Sequence, residues 1–127
     1  MPSVLFVCVA NSCRSQMAEA IAKDLAKDRW EVWSAGSHPG GFVHPRAVAL
    51  MHELALDLST HHSKGLDDVP STRWDYVVTM GCGDRCPSLP AAHRLDWAIP
   101  DPTGLPMEQA RRIRDDLVAR IRTLVGS

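Results

Sequence analysis

The sequence predicts an α/β fold: one domain over residues 1–127, built on a small parallel sheet flanked by helices. Three observations carry this. Short β-forming runs alternate along the chain with longer segments of helical period, which implies crossover connections and parallel strands. The first run, Ser3 to Cys8, is apolar without alternation, as in a strand covered on both faces. A length of 127 residues with 45% apolar side chains suits a single core, because a chain of this size buries roughly two thirds of its unfolded surface and two cores would each be marginal.

Each element has its own signal. Ser-Val-Leu-Phe-Val-Cys at 3–8 is the first strand, followed by the polar turn Asn11-Ser12. Met17, Ala20, Ile21, Ala22 and Leu25 then recur at three- and four-residue spacing through Lys27, an amphipathic helix with Glu19, Lys23 and Asp24 largely outward. Glu31 to Ser34 reads as the second strand, closed by Ala35-Gly36 and a Gly/Pro-rich loop from Ser37 to Gly41. Pro45 to Leu54 is the second helix, with proline favourable in its first turn. Trp74 to Met80 is the third strand, and Arg94 to Ile99 a shorter, weaker fourth. Ala110, Ile113, Leu117, Ile121 and Leu124 mark one face of a last helix from near Pro106 to near Val125. In such a sheet, ligands bind outside the carboxyl ends of the strands, which places Cys8, Met80 and Ile99 at the site.

Composition excludes several classes. Fourteen Lys and Arg balance fifteen Asp and Glu, for a net charge of −1. No extended field is available for nucleic acid or an anionic membrane, so any anion site is local. No apolar stretch approaches the roughly 20 residues of a membrane span, and no basic residues precede Val4 to Ala10 as a signal peptide requires, so the expected location is cytoplasmic. Four cysteines in a chain with core enough of its own point to thiol chemistry or metal binding rather than structural disulfides.

Cys8-Val9-Ala10-Asn11-Ser12-Cys13-Arg14-Ser15 puts a thiol at a strand end, a five-residue loop, and an arginine where a helix begins. Loop amides and the helix N-terminus converge there on a tetrahedral oxyanion, and the Arg14 guanidinium can grip two of its oxygens. The same field, with the Ser15 hydroxyl in reach, favours the nucleophilic thiolate of Cys8. Nothing orients Cys13 as a second nucleophile, and packing is its default role. The alternative for the whole motif is a buried strand-end cysteine and a surface arginine.

Cys8 through Ser15, continuing into Gln16-Met17-Ala18-Glu19-Ala20, resembles the active-site loop of the thioredoxin-coupled arsenate reductases, which are built on the low-molecular-weight protein tyrosine phosphatase fold. Ser34-Ala35-Gly36, Asp75 to Met80 and Asp101-Pro102 fall in family order, so the likeness runs over nearly the whole chain. It implies a four-stranded parallel sheet with Cys8 as nucleophile and Arg14 as oxyanion clamp. It also implies a thiol relay through Gly81-Cys82-Gly83-Asp84-Arg85-Cys86. Cys82 attacks the Cys8–arsenic adduct, Cys86 then frees Cys8, and an external dithiol such as thioredoxin reduces the resulting Cys82–Cys86 pair. No bound cofactor or metal is implied. The two loop cysteines stand closer together here than is common in the family, so their disulfide closes a tight ring. A zinc site with His93 nearby, or a static structural pair, are the competing readings.

Asp101, before Pro102, is the expected proton donor, as a carboxylic acid partly desolvated at the pocket mouth; Asp-Pro-Thr-Gly is also an ordinary turn sequence. Asn11, Glu19 and Ser34 match positions that in some family members help bind potassium, with a further acid downstream. Lys64 stands at the aligned position of that acid, and its ammonium is expected to replace the ion, meeting Glu19 and Asn11 with a fixed charge. Ala10 occupies a position that is often glycine in the family. The six histidines, at 38, 44, 52, 61, 62 and 93, show no catalytic pairing. The expectation is therefore an arsenate reductase, monomeric, taking arsenate and a thioredoxin-type reductant. The alternatives are a phosphatase using Cys8, Arg14 and Asp101, disfavoured because Thr103-Gly104 offers no aromatic wall, and a non-enzymatic thiol sensor or metal-binding domain.

Overall fold

The unbroken apolar run at the start of the chain forms β1 (Ser3–Cys8), buried along all six residues. In the computed structural model, which describes residues 1–70, 73–81 and 89–126, β2 (Glu31–Gly36), β3 (Trp74–Met80) and β4 (Ala91–Trp97) complete the sheet. The four strands are parallel and run in the order β2-β1-β3-β4. Phe6 pairs with Ser34 on one side and Val78 on the other, which leaves Cys8 level with Gly36 at the carboxyl edge. The chain leaves β1 for β2 on one side and returns to β3 on the other, so the end of β1 is the topological switch point, where such sheets open a ligand crevice.

The pleat of β1 divides the core. Val4 and Phe6 belong to a cluster with Met17 and Ile21 of α1 (Arg14–Ala26), Leu50 and Met51 of α2 (Pro45–His52), and Leu117 and Ile121 of α3 (Met107–Val125). Leu5 and Val7 point the other way, into a smaller cluster with Trp74, Val77, Ala35 and Ala91. That face is covered by Trp33, Leu66, Val69 and Leu89 rather than by a long helix. Each fully buried large apolar side chain stabilises this arrangement by about 1.5–3 kcal/mol relative to exposure.

Several boundaries differ from the sequence reading. The fourth strand spans Ala91–Trp97, not Arg94–Ile99, because Ile99 turns back to donate its N–H to the Trp97 carbonyl at 2.8 Å while its side chain stays buried. The second strand runs on to Gly36, where it bridges Gly65. The first helix ends at Ala26 because Lys27 has a φ of 53°, and the second ends at His52, before Ala55 at 59°. The last helix keeps its expected bounds, with Pro106 as its N-cap and Gly126 closing it in the left-handed region.

The largest departure concerns Glu19. The periodicity of α1 puts it largely outward, yet it is 5% exposed. Residues 15–22 of α1 are buried without interruption, because the segment around residues 61–64 covers the face that the sheet leaves open.

Candidate active site

The loop from Cys8 to Arg14 is held from outside by its carbonyl groups. Ser37, His38 and Gly40 donate backbone N–H to the carbonyls of Cys8 (3.3 Å), Val9 (2.8 Å) and Ala10 (2.9 Å), and His44 donates to that of Ser12 (2.8 Å). Ser63 Oγ donates a second bond to Ala10 O, and Gln16 Nε2 takes up Asn11 O. In a trans peptide the N–H opposes the C=O, so turning five consecutive carbonyls outward aims the amides of residues 9–13 inward. The result is an anion cradle built of backbone, ending at the N-terminus of α1.

Two local features permit this path. Asn11 takes the positive φ, 48°, that asparagine tolerates better than most residues, so Ala10 need not carry it. Gly36 packs so closely on the loop that a Cβ there would lie 2.6 Å from Val9 O and 2.9 Å from Asn11 N.

The hydrogen bonds around Cys8 fix a direction of donation. Asn11 Oδ1 accepts from the Lys64 backbone N–H at 2.9 Å, which can only donate, and from Gln16 Nε2 at 2.8 Å. The amide orientation of Asn11 is thereby set, and its Nδ2 donates to Ser15 Oγ (2.7 Å) and Ser34 Oγ (3.0 Å). With its oxygen already accepting, Ser15 has its own hydrogen free for Cys8 Sγ, 2.8 Å away. A hydroxyl donating to sulfur supports the thiolate.

Cys8, Val9, Ala10, Ser12, Cys13 and Arg14 line a cleft of about 300 Å³ together with His44, Gly81, Asp101 and Thr103. Arg14 is aimed by a hydrogen bond from Nη1 to the Ile99 carbonyl at 2.9 Å. Gly81, with a φ of +73°, leaves room for it, since a Cβ would stand 2.7 Å from that Nη1. Asp101 lies at the cleft but is exposed rather than partly desolvated. Its Oδ1 accepts from Thr103 N (3.0 Å) and Thr103 Oγ1 (2.9 Å), capping the short turn 102–104. Cys13 is buried, and burial, reinforced by the negative charges of Asp101 and Cys8 against Arg14 and Arg46, pushes its thiol up to about 12. It is a neutral neighbour to Cys8 at physiological pH.

Behind the loop, Glu19, Ser34 and Lys64 meet. Lys64 Nζ donates to Glu19 Oε1 at 3.0 Å and to Ser34 Oγ at 3.1 Å, and Ser34 passes its own hydrogen to Glu19. The ammonium therefore meets Glu19 and Ser34, while Asn11 is met by the Lys64 main chain rather than by its charge. Burial alone would raise the Glu19 carboxyl, but hydrogen bonds from Lys23, Ser34 and Lys64, with the Lys64 charge, bring it down to about 2. His61 Nδ1 lies 3.0 Å from Gln16 Oε1, and burial, with Lys23 and Lys64 nearby, lowers this imidazole against the pull of Glu19. A wider hollow of about 440 Å³ opens beside Glu19, Lys64 and His61. The smaller cleft is the one that holds thiol, guanidinium and cradle together.

The structure thus brings together Cys8, the loop 9–13, Arg14, Ser15 and Asp101, and sets Glu19, Ser34 and Lys64 directly behind Asn11. Cys82 and Cys86 lie outside the described residues. His93 stacks on Tyr76 with ring centroids 4.8 Å apart. His44 is the cleft residue that sequence reasoning missed. Its signal was available: a polar residue directly before a proline at a helix start is an N-cap position.

A strand-end thiol, a backbone cradle and an arginine on this sheet define a class. The chain belongs to the low molecular weight phosphotyrosine protein phosphatase family, whose family model matches residues 3–127. Within that family its relatives are more particular. An arsenate reductase of Staphylococcus aureus is 40% identical over 119 residues, spanning 91% of this chain and 89% of its own. A solved arsenate reductase in the phosphate binding state matches with a TM-score of 0.87 and 36% identity, over 99% of this chain and 98% of that one. A thioredoxin-dependent arsenate reductase of Corynebacterium glutamicum matches with a TM-score of 0.78 and 38% identity, over 98% of this chain and 60% of the other.

Proposed function

We propose that the protein reduces arsenate to arsenite through a thiol relay and is regenerated by an external dithiol of the thioredoxin type. The observation that carries this reading is the Cys8 thiol, supported by Ser15 at 2.8 Å on the floor of an inward-facing amide cradle. Relatives named as arsenate reductases over nearly the full chain support the choice of substrate.

The residues have the following roles in this reading. The cradle of residues 9–15 and the Arg14 guanidinium bind arsenate. The Cys8 thiolate attacks arsenic, and one arsenate oxygen leaves as water after taking up protons, one of which Asp101 relays from the mouth of the cleft. The Cys82 thiolate then attacks Cys8 Sγ. The S–As bond breaks, its electron pair stays on arsenic, and arsenite departs, leaving a Cys8–Cys82 disulfide. The Cys86 thiolate attacks Cys82, frees Cys8 as thiolate and leaves a Cys82–Cys86 disulfide for the external dithiol. The balance is one arsenate and two thiols to one arsenite, one disulfide and one water. Glu19, Ser34 and Lys64 position Asn11, and through it the Ser15 donor.

The test is arsenate-dependent consumption of NADPH through thioredoxin reductase and thioredoxin. Turnover is expected in the wild-type chain and absent in Cys8→Ser and Cys82→Ser. Normal turnover in Cys82→Ser would sink the relay, and hydrolysis of p-nitrophenyl phosphate without arsenate turnover would favour phosphatase action by the same Cys8, Arg14 and Asp101.

A further inference from the structure

His44 enters the cleft from an element that neither the cradle nor Arg14 uses. It is the N-cap of α2, and two bonds hold it. Its main-chain N–H donates to Ser12 O at 2.8 Å, tying the start of α2 to the loop, and its ring Nδ1 accepts from Arg46 N at 3.0 Å. A backbone amide can only donate, so Nδ1 is unprotonated and the neutral ring carries its hydrogen on Nε2. No described hydrogen bond engages that Nε2–H. The His44 side chain is only half-buried. The ring lines the same cleft as Cys8, Arg14, Asp101 and Thr103. It therefore presents a hydrogen-bond donor of fixed tautomer, on a side chain anchored at its other nitrogen, to a cleft whose other donors address a tetrahedral anion.

We propose that His44 is a substrate-binding residue whose Nε2–H donates to an oxygen of the bound tetrahedral oxyanion, beside the cradle and the Arg14 guanidinium. The inference rests on the reading of this cleft as the oxyanion site. It assigns His44 a neutral hydrogen bond and not proton transfer, because protonating Nδ1 would break the cap on α2. The ligand class is an inorganic oxyanion such as arsenate or phosphate, which offers several equivalent oxygens for a donor on this side.

Binding separates this role from mere helix capping. His44→Asn and His44→Ser both retain a side-chain oxygen able to cap α2, and both remove Nε2–H. In the full chain carrying Cys8→Ser, which cannot turn over, inorganic phosphate is titrated calorimetrically and thermal midpoints are recorded with and without it. The expected result is a Kd about tenfold weaker in both variants, equivalent to 1.4 kcal/mol, with anion-free midpoints close to the parent. An unchanged Kd in a folded variant overturns the proposal. So does a Kd that weakens only in proportion to a lowered anion-free midpoint, since that marks a structural cap. The outcome is independent of the proposed reaction: wild-type arsenate turnover with unchanged phosphate affinity in His44→Asn defeats this inference alone. Weakened affinity in a protein that never reduces arsenate defeats the proposed function alone.

Discussion

Replacing Lys64 by methionine removes a single charge from behind the loop while keeping most of the side-chain volume. Lys64 is 8% exposed and Glu19 5%, so the pair is shielded from water and its interaction is poorly screened. Glu19 is held at about 2 against an ordinary value of 4.5. At 1.36 kcal/mol per unit, this corresponds to roughly 3 kcal/mol of stability linked to the ionised form. Lys23, at 2.7 Å, heads the hydrogen bonds that lower Glu19, but its side chain is 52% exposed and screened by water, whereas losing the buried Lys64 ammonium leaves the carboxylate without its shielded partner. Lys64→Met is therefore expected to cost about 2–3 kcal/mol at pH 7, or about 10 °C in thermal midpoint for a chain of this size. Because the folded-state value is depressed, the contribution is fully present above pH 4.5 and is lost as pH falls towards 2. The gap between wild type and variant should accordingly close over that interval. Thermal unfolding followed by circular dichroism from pH 7 to pH 2 measures both effects. A variant melting within 2 °C of wild type at pH 7, or a gap that persists undiminished at the acid end, would refute the reasoning.

Three further outcomes follow from the same geometry. Activity and midpoint of the wild type should be the same in potassium as in sodium salts, whereas Lys64→Ala should gain stability from potassium, since Glu19 and Ser34 are then left without their ammonium; a steep potassium response in the wild type would count against the replacement. Gly36→Ala places a Cβ 2.6 Å from Val9 O, and is expected to lose at least tenfold in phosphate affinity by calorimetry and roughly 2 kcal/mol of stability. Ser15→Ala removes the hydroxyl donor to Cys8 Sγ, and the rate of Cys8 alkylation by iodoacetamide at pH 6, resolved by mass spectrometry, should fall roughly tenfold.

Much of this was legible in the sequence because it follows from local pattern. The unalternating run Ser3–Cys8 could only be a strand covered on both faces, and the thiol, loop and arginine that follow it fall at the switch point through connectivity alone. What local pattern could not supply is what covers each face. Helical periodicity sends Glu19 outward, since nothing within α1 announces that residues 61–64 will fold over it and bring the Lys64 ammonium to its carboxylate. β4 starts three residues and ends two residues before its expected bounds for a related reason: Ile99 is apolar and buried like a strand residue, but its burial comes from a turn whose carbonyl aims Arg14. Asp101 was expected to be partly desolvated, and is instead exposed, because its carboxylate caps the turn that begins with Pro102. His44 escaped notice because histidine is an uncommon cap. Its place at the cleft depends on where α2 meets the loop, a contact between segments distant in sequence.

The central claim is that one oxyanion is reduced at Cys8 at the expense of two of the chain's own thiols. A single turnover without any external reductant tests it most directly. Fully reduced protein is mixed with excess arsenate, and arsenite released and free thiols remaining are counted per chain. The account predicts one arsenite, the loss of two thiols as a Cys82–Cys86 disulfide on peptide mapping, and no arsenite from Cys8→Ser. Arsenite formation that survives Cys8→Ser, or a wild-type chain that releases none while its thiols remain intact, would contradict it.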